Sequence, residues 1–187
     1  MPENALSHPI METNRLRLRP LAVEDAEEMH RIYGDAETMR FWDAPPARDE
    51  RVTAERIATS VKTSPEWHAA WAVVPKDDPR VIGMVNYHNR ATWNRRLAVG
   101  WILGRSHWKQ GIMQEAMRPV LDYCFDALAS HRVEALIEPE NTSSIRLAER
   151  LGFRWEGGLM RHRLLVGDSW RDLRMYALLD DEWRAWS

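Results

Sequence analysis

A chain of 187 residues with 26 basic and 28 acidic side chains carries a formal net charge of -2. That length predicts one domain with a self-sufficient core, and that charge balance gives no general attraction to nucleic acid or to a membrane surface. No segment reaches membrane-spanning length, the N-terminus lacks a basic-then-apolar export signal, and the single Cys124 can form no internal disulfide, so a reducing, cytoplasmic setting is expected.

Residues 1–12 show no periodicity and read as a loose tail ahead of a single domain spanning 13–187. Thr13 to Leu21 alternates and predicts the first strand, with Arg15, Arg17 and Arg19 on a solvated face. Val23 to Tyr33 predicts a helix with its acidic residues early. Phe41-Trp42-Asp43-Ala44-Pro45-Pro46 is a loop, because the prolines remove donors and block the helical region before them. Asp49 to Val61 is a second amphipathic helix. Ala69 to Pro75 and Arg80 to Tyr87 are apolar strands joined by Lys76-Asp77-Asp78-Pro79. Asn86 and His88 share one face at the end of the second strand, where a lone histidine reads first as a polar edge residue.

After a loop over Asn89 to Arg96, Leu97 to Leu103 is a buried strand and Gly104 to Lys109 breaks the pattern. Ile112, Ala116, Val120, Leu121 and Cys124 then recur at helical spacing, predicting a central helix over 111–128 with Cys124 packed in the core. A strand, a short loop and a helix with Gly111 at its mouth form an anion cradle. The unpaired N–H groups of a helix N-terminus point outward, the helix dipole favours a negative ligand, and a glycine lets a phosphate approach the backbone. Taken alone, such a glycine is as well explained by turn chemistry.

Arg132 to Ile137 is the next strand. Asn141 or Thr142 caps a short helix that Gly152 ends. Arg154 to Leu165 is strand material broken at Gly157-Gly158, and Gly167-Asp168 turns into a last strand, Trp170 to Leu179. Of ten tryptophans, Trp71 and Trp101 read as core, while Trp42, Trp67, Trp93 and Trp108 are candidate pocket walls. No His/Cys cluster has metal-ligand spacing.

Three separated stretches agree in order and spacing: Trp108 to Met113, Asn141 to Ser144, and Leu151-Gly152-Phe153. Together they resemble the GNAT acyl-CoA N-acyltransferase superfamily, and most nearly its RimJ/RimL-like ribosomal-protein N-acetyltransferase branch, whose members begin much as Glu12-Thr-Asn-Arg-Leu-Arg-Leu-Arg19 does. The resemblance spans roughly Thr13 to Leu179. It implies an α/β (α+β) fold in the order βααβββαβαββ: a mixed, mostly antiparallel sheet with helices on both faces, splayed into a cleft between the fourth and fifth strands.

The resemblance also implies acetyl-CoA as co-substrate, no metal, and an amine acceptor. That acceptor would most directly be a protein N-terminal α-amine, attacking in a ternary complex. A small-molecule amine (antibiotic, polyamine or aminoacyl conjugate) and a non-catalytic acyl-CoA sensor are the alternatives, and monomer and homodimer both stay open. In the family pattern Gln/Arg-x-x-Gly-x-Gly/Ala, Trp108 holds the first position, Gly111 the fourth and Met113 the last. Gln110, Gly111, Ile112 and Met113 would bind pyrophosphate through backbone N–H groups, with Lys109 adding charge. Trp101, Ile102 and Leu103 would pair with the pantetheine arm, and Asn141 would hydrogen-bond it or simply cap its helix. Ser144 would protonate the thiolate, and Phe41, Trp42, Asn86 and His88 would face the acceptor.

The general base is less defined. Relatives often carry a glutamate where this chain has Ala98, and the branch's sixth-strand glutamate aligns with Leu164. His162, two residues before Leu164, is the candidate substitute, His107 is a second, and a water chain is a third.

Overall fold

The structure, a computed structural model, describes residues 8–186; residues 1–7 of the expected tail lie outside them. Period-two alternation builds one sheet from β1 (Met11–Glu12), β2 (Leu16–Pro20), β3 (Ala69–Pro75), β4 (Gly83–Ala91), β5 (Arg96–Leu103), β6 (Arg132–Ile137), β7 (Arg154–Trp155), β8 (Met160–Val166) and β9 (Ser169–Leu179). Its order is β1-β2-β3-β4-β5-β6-β9-β7, with β8 also paired to β9. Every pairing is antiparallel except β5 with β6. The helices are α1 (Ala26–Tyr33), α2 (Glu50–Lys62), α3 (Ile112–Asp122), α4 (Thr142–Arg150) and α5 (Asp180–Trp186).

Because side chains alternate, the sheet carries two cores. Trp71, Val85, Tyr87, Leu97 and Val99 pack with Met117 and Leu121 of α3 and Ala148 of α4. Ala70, Ala72, Met84 and Ile102 pack on the opposite face with Met29 and Ile32 of α1 and Ile57 of α2. This is the expected mixed, mostly antiparallel architecture with helices on both faces.

The parallel pair sets the geometry of the site. β5 and β6 share a register only at Arg96↔Arg132, Leu97↔Val133 and Ala98↔Glu134. Beyond those positions the strands part, so the expected splay lies between β5 and β6; the short β1 shifts the strand count by one. At the root of this fork Glu134 is buried to 7 % exposure. It accepts from Arg96 at 3.2 Å and from Arg132 at 2.7 Å, and Arg132 also binds Glu156. A carboxylate with both oxygens engaged by guanidinium groups is stabilised where a lone buried charge would not be.

Several expectations need correction. Residues 8–12 are not loose: β1 pairs with β2, the Trp71 indole donates to the Pro9 carbonyl at 2.7 Å, and His8 stands edge-on to Trp71. The central helix does not run regularly to residue 128. Pro119 removes one donor from α3, and Tyr123–Ala127 form a wider turn closed by Leu128 N–H to the Tyr123 carbonyl. That turn points both Cys124 and Phe125 into the core, where burial pushes the Cys124 thiol pKa up and leaves it unreactive. The unforeseen α5 begins on Asp180-Asp181-Glu182, a first-turn acidic run that favours a helix N-terminus. Its Trp183 stacks on Phe125 and donates to Asp122.

Glu134→Ala leaves Arg96 and Arg132 facing a gap at the fork. Urea unfolding should report a loss of about 2 kcal/mol; an unchanged midpoint would show that the network contributes nothing to holding the strands together.

Candidate active site

Ile112 and Met113 are each 7 % exposed, because their side chains anchor α3 in the core. That anchoring leaves the first turn of the helix presenting its backbone outward. No side chain caps it, and the N–H groups of Ile112, Met113 and Gln114 have no partner among the described residues. Gly111 has φ +73° and Lys109 φ +61°, left-handed conformations of the kind that turn successive N–H groups into an anion nest. Trp108 pins this loop to the end of β5, its indole donating to the Leu103 carbonyl at 2.7 Å.

The sequence alone misplaced two of the three first-strand arginines. Arg15 does not simply face water: its guanidinium donates to the Gln110 carbonyl at 3.2 Å and to Glu115 at 2.7 Å. Glu115 also accepts from Thr13 at 2.6 Å and from the Arg15 backbone at 2.9 Å. Burial pushes the Glu115 carboxyl up, but these donors outweigh it and hold it below the ordinary carboxylate range. Thr13, Arg15, Gly111, Gln114, Glu115 and Arg118 line an open groove of about 420 Å³ at the mouth of α3. Arg19 binds the buried Asp25 through two hydrogen bonds, which leaves Arg17 as the solvated member of the three. The Thr-x-Arg start was the signal available in the sequence; the partner 100 positions away was not.

Inside the fork, the backbone of Trp101, Ile102 and Leu103 pairs with β4 on one side and has no strand partner on the other. Asn141 caps α4, its side-chain oxygen accepting from the Ser144 N–H at 3.2 Å. Trp101 reaches across the fork to α4 and donates to Ser144 Oγ at 3.2 Å. An indole N–H can only donate, so the Ser144 hydroxyl is the acceptor in that bond and its own proton is free for another partner.

On the far side of the mouth, Arg171 of β9 donates at 2.7 Å both to the Arg40 carbonyl and to Glu138, just past β6. That bond draws the turn carrying the half-buried Phe41 and Trp42 toward the open end of the fork, with Trp42 against Tyr33. Neither Arg171 nor Glu138 was singled out in the sequence.

Asn86 and His88 lie on the α1/α2 face of β4, opposite Gly100 and Ala98. Asn86 is 8 % exposed and its Oδ1 meets His88 Nδ1 at 3.1 Å. His88 opens into a groove of about 350 Å³ shared with Thr59 and Ser60 of α2, Thr63 just past its end, Trp67, His68 and Asn89; no carboxylate lines it. His68 bonds Ser60 at 2.6 Å. Burial, reinforced by His88 and then His8, lowers its pKa to about 4, and burial lowers that of His88 as well. Among the candidate walls, Trp67 borders this groove, whereas Trp93 is 85 % exposed and walls nothing.

His162 is placed differently from expectation. β8 carries a bulge between Met160 and Leu164, which breaks the alternation that put His162 on the face of Leu164. His162 has φ +51°, donates its backbone N–H to Asp172 and lays an exposed ring on Trp170. His107, in the turn before the cradle, is likewise remote from the Asn86–His88 pair in the pairing scheme. No group of three or more metal-ligating side chains occurs among the described residues, and no described helix is long and apolar enough to cross a membrane.

A parallel pair that parts beside an uncapped helix N-terminus is the arrangement that the resemblance to acyl-CoA-dependent transferases implies. The GNAT acetyltransferase domain model matches residues 15–154, and the chain belongs to that family. N-acetyltransferase p20 of Bacillus licheniformis, itself uncharacterized, is 33 % identical over 172 residues, covering 91 % of this chain and 96 % of its own. The spermidine N(1)-acetyltransferase of Escherichia coli K12 is 24 % identical, covering 86 % of this chain and 84 % of its own. A GCN5-related N-acetyltransferase structure from Brucella melitensis superposes with a TM-score of 0.86 at 25 % identity, over 97 % of this chain and 83 % of that one. The protein is an acetyl-CoA-dependent N-acetyltransferase.

The depressed His68 pKa means the fold prefers the neutral ring, while the unfolded chain takes up a proton near pH 6.5. Stability present above pH 6.5 is therefore lost as pH falls from 6.5 toward 4. The drop in Tm between pH 7 and pH 5 should be smaller in His68→Gln than in the parent, and an equal drop would remove His68 as a cause.

Proposed function

We propose that this N-acetyltransferase acts on a protein N-terminal α-amine, with the cofactor seated in the β5–β6 fork. The observation that carries the reading is the junction of an uncapped α3 N-terminus with a fork whose inner wall ends on Ser144. The N–H groups from Gln110 to Met113, with Arg15 and Lys109, would hold a pyrophosphate by dipole and charge together. The unpaired backbone of Trp101, Ile102 and Leu103 would take the pantetheine amides as an added strand, with Asn141 at the α4 end. Acetyl-CoA supplies the activated acyl group; the protein's task is to align an amine with it and manage protons.

Ser144 is the proton donor in this reading. Trp101 occupies the acceptor side of its oxygen and so directs its hydroxyl proton outward, toward a departing sulfur. His162 is left out, because its ring lies against Trp170 on the outer strand. Phe41, Trp42, Asn86 and His88 form the acceptor side. The RimJ/RimL-like motifs favour a protein terminus. A groove lined by hydroxyls, imidazoles and one indole, without a carboxylate, suits a single amine better than a polycation such as spermidine.

Two measurements test this. Gly111→Glu places a side chain and a negative charge at the cradle mouth and should abolish acetyl-CoA binding in calorimetry while the far-ultraviolet circular dichroism is unchanged; retained affinity would sink the cofactor site. Ser144→Ala should lower kcat by about tenfold to a hundredfold with little change in KM for acetyl-CoA, followed by thiol release with N-terminal peptides, polyamines and aminoglycosides. An unaffected kcat removes Ser144 from the chemistry. Binding without turnover on any acceptor favours the sensor alternative.

A further inference from the structure

We propose that His88 is the general base that deprotonates the acceptor amine, held in its working tautomer by Asn86, and that the acceptor reaches it through the groove between α2 and β4. The proposal rests on the acetyl-transfer reading above and adds the residue that accepts the proton.

Position comes first. His88 pairs with Ala98, the last β5 residue in register with β6, and Asn86 pairs with Gly100, the second residue beyond the parting point. Cross-strand partners lie on the same face, so His88 and Asn86 stand beside the root of the fork. Their two β5 partners, Ala98 and Gly100, are small, so the Asn86 and His88 side chains lie close against β5 there. The fit is close at Gly100: an added Cβ would come within 2.9 Å of the Asn86 oxygen.

The tautomer follows from donor and acceptor rules. A carboxamide oxygen accepts, so Nδ1 of His88 carries the proton and Nε2 carries the lone pair. The Asn86 amide is turned toward Met84 sulfur at 3.7 Å, which agrees with that orientation. Nε2 has no partner among the described residues and is not among their sealed, unsatisfied atoms. It is therefore available to a ligand in the groove.

The surroundings keep the ring neutral near neutral pH. His68 is the other titratable group lining the groove, and it too is held neutral by burial. The groove is lined by Thr59 and Ser60 from α2, by Thr63 and Trp67 from the segment between α2 and β3, and by Asn89 from β4 itself. Across Ala98 on the same face lies Glu134, whose carboxylate is committed to Arg96 and Arg132. Arg96 is thereby engaged rather than directed at His88.

The protons balance as follows. Nε2 of His88 takes one proton from the ammonium and releases it to water in the groove. The freed nitrogen forms its bond to the acetyl carbon as the carbon–sulfur bond breaks and the electron pair leaves on sulfur. Ser144 gives that sulfur its proton and is restored by the second proton leaving the nitrogen. One proton is released per amide formed.

The test is the pH dependence of thiol release from acetyl-CoA, from pH 5.5 to 9, with a tetrapeptide beginning in alanine or serine and separately with spermidine. His88→Gln keeps a hydrogen-bonding side chain and cannot titrate. It should lower kcat about 100-fold and abolish the acidic limb of the profile, while the calorimetric Kd for acetyl-CoA stays within twofold. Asn86→Ala keeps the base but frees its ring, so it should cost less rate and move the limb, and it serves if His88→Gln fails to fold. Turnover by His88→Gln with the parent's rate and limb overturns the proposal and leaves acetyl transfer standing. A parent enzyme that binds acetyl-CoA but acetylates neither probe overturns the acceptor assignment and the base with it.

Discussion

Everything at this site depends on where two parallel strands stop being hydrogen-bonded. β5 and β6 share three register positions, and the partition after Ala98 and Glu134 leaves a row of backbone donors and acceptors without a strand partner. Unpaired backbone groups at the heart of a sheet are costly unless something satisfies them, and here they face a cleft. The Arg96–Glu134–Arg132–Glu156 network closes the sheet up to that point. Past it, Trp101 crosses the opening to Ser144, so the two walls are joined by one side-chain hydrogen bond where the ladder ends.

The two faces of the fork carry different chemistry for the same reason that the sheet has two cores. Alternation sends Trp101 toward α3 and α4, beside the uncapped helix N-terminus and the serine, and sends Asn86 and His88 toward α1 and α2. In the proposed reading, an anionic ligand and an amine would take separate approaches to one point. The helix-dipole side is electropositive, whereas the opposite groove is neutral, with histidines that burial keeps uncharged.

Local chemistry made most of the fold legible in the sequence. Alternation located the strands, Pro45-Pro46 marked a loop, Asn141 announced a cap, and Gly157-Gly158 marked the break between β7 and β8. The backbone part of the cradle was legible too, since Gly111 is required by a left-handed turn. What escaped depends on distant partners. Arg15 and Glu115 meet across a hundred positions, as do Arg171 and Arg40 across 131, and no periodicity encodes such meetings. The bulge in β8 defeated the two-residue argument for His162, because four steps from Met160 to Leu164 oppose only two on β9 and His162, at φ +51°, lies inside that irregular stretch where alternation does not hold. His88 was visible as a residue, but its partner at 3.1 Å and its groove are products of the fold.

The pairing scheme also orders assembly in time. β6 has three register partners on β5, but its whole length, from Arg132 to Ile137, is matched by β9, which runs from Ser169 to Leu179. A chain emerging from the ribosome can complete β1 to β5 and both early helices from neighbouring segments, all antiparallel and nearly consecutive. The second wall of the fork must wait for the last twenty residues, and long-range pairing of this kind is slow. The cleft is therefore the last part of the molecule to form, and a nascent or truncated chain would display a sheet whose β5 edge, later covered by β6, is still open.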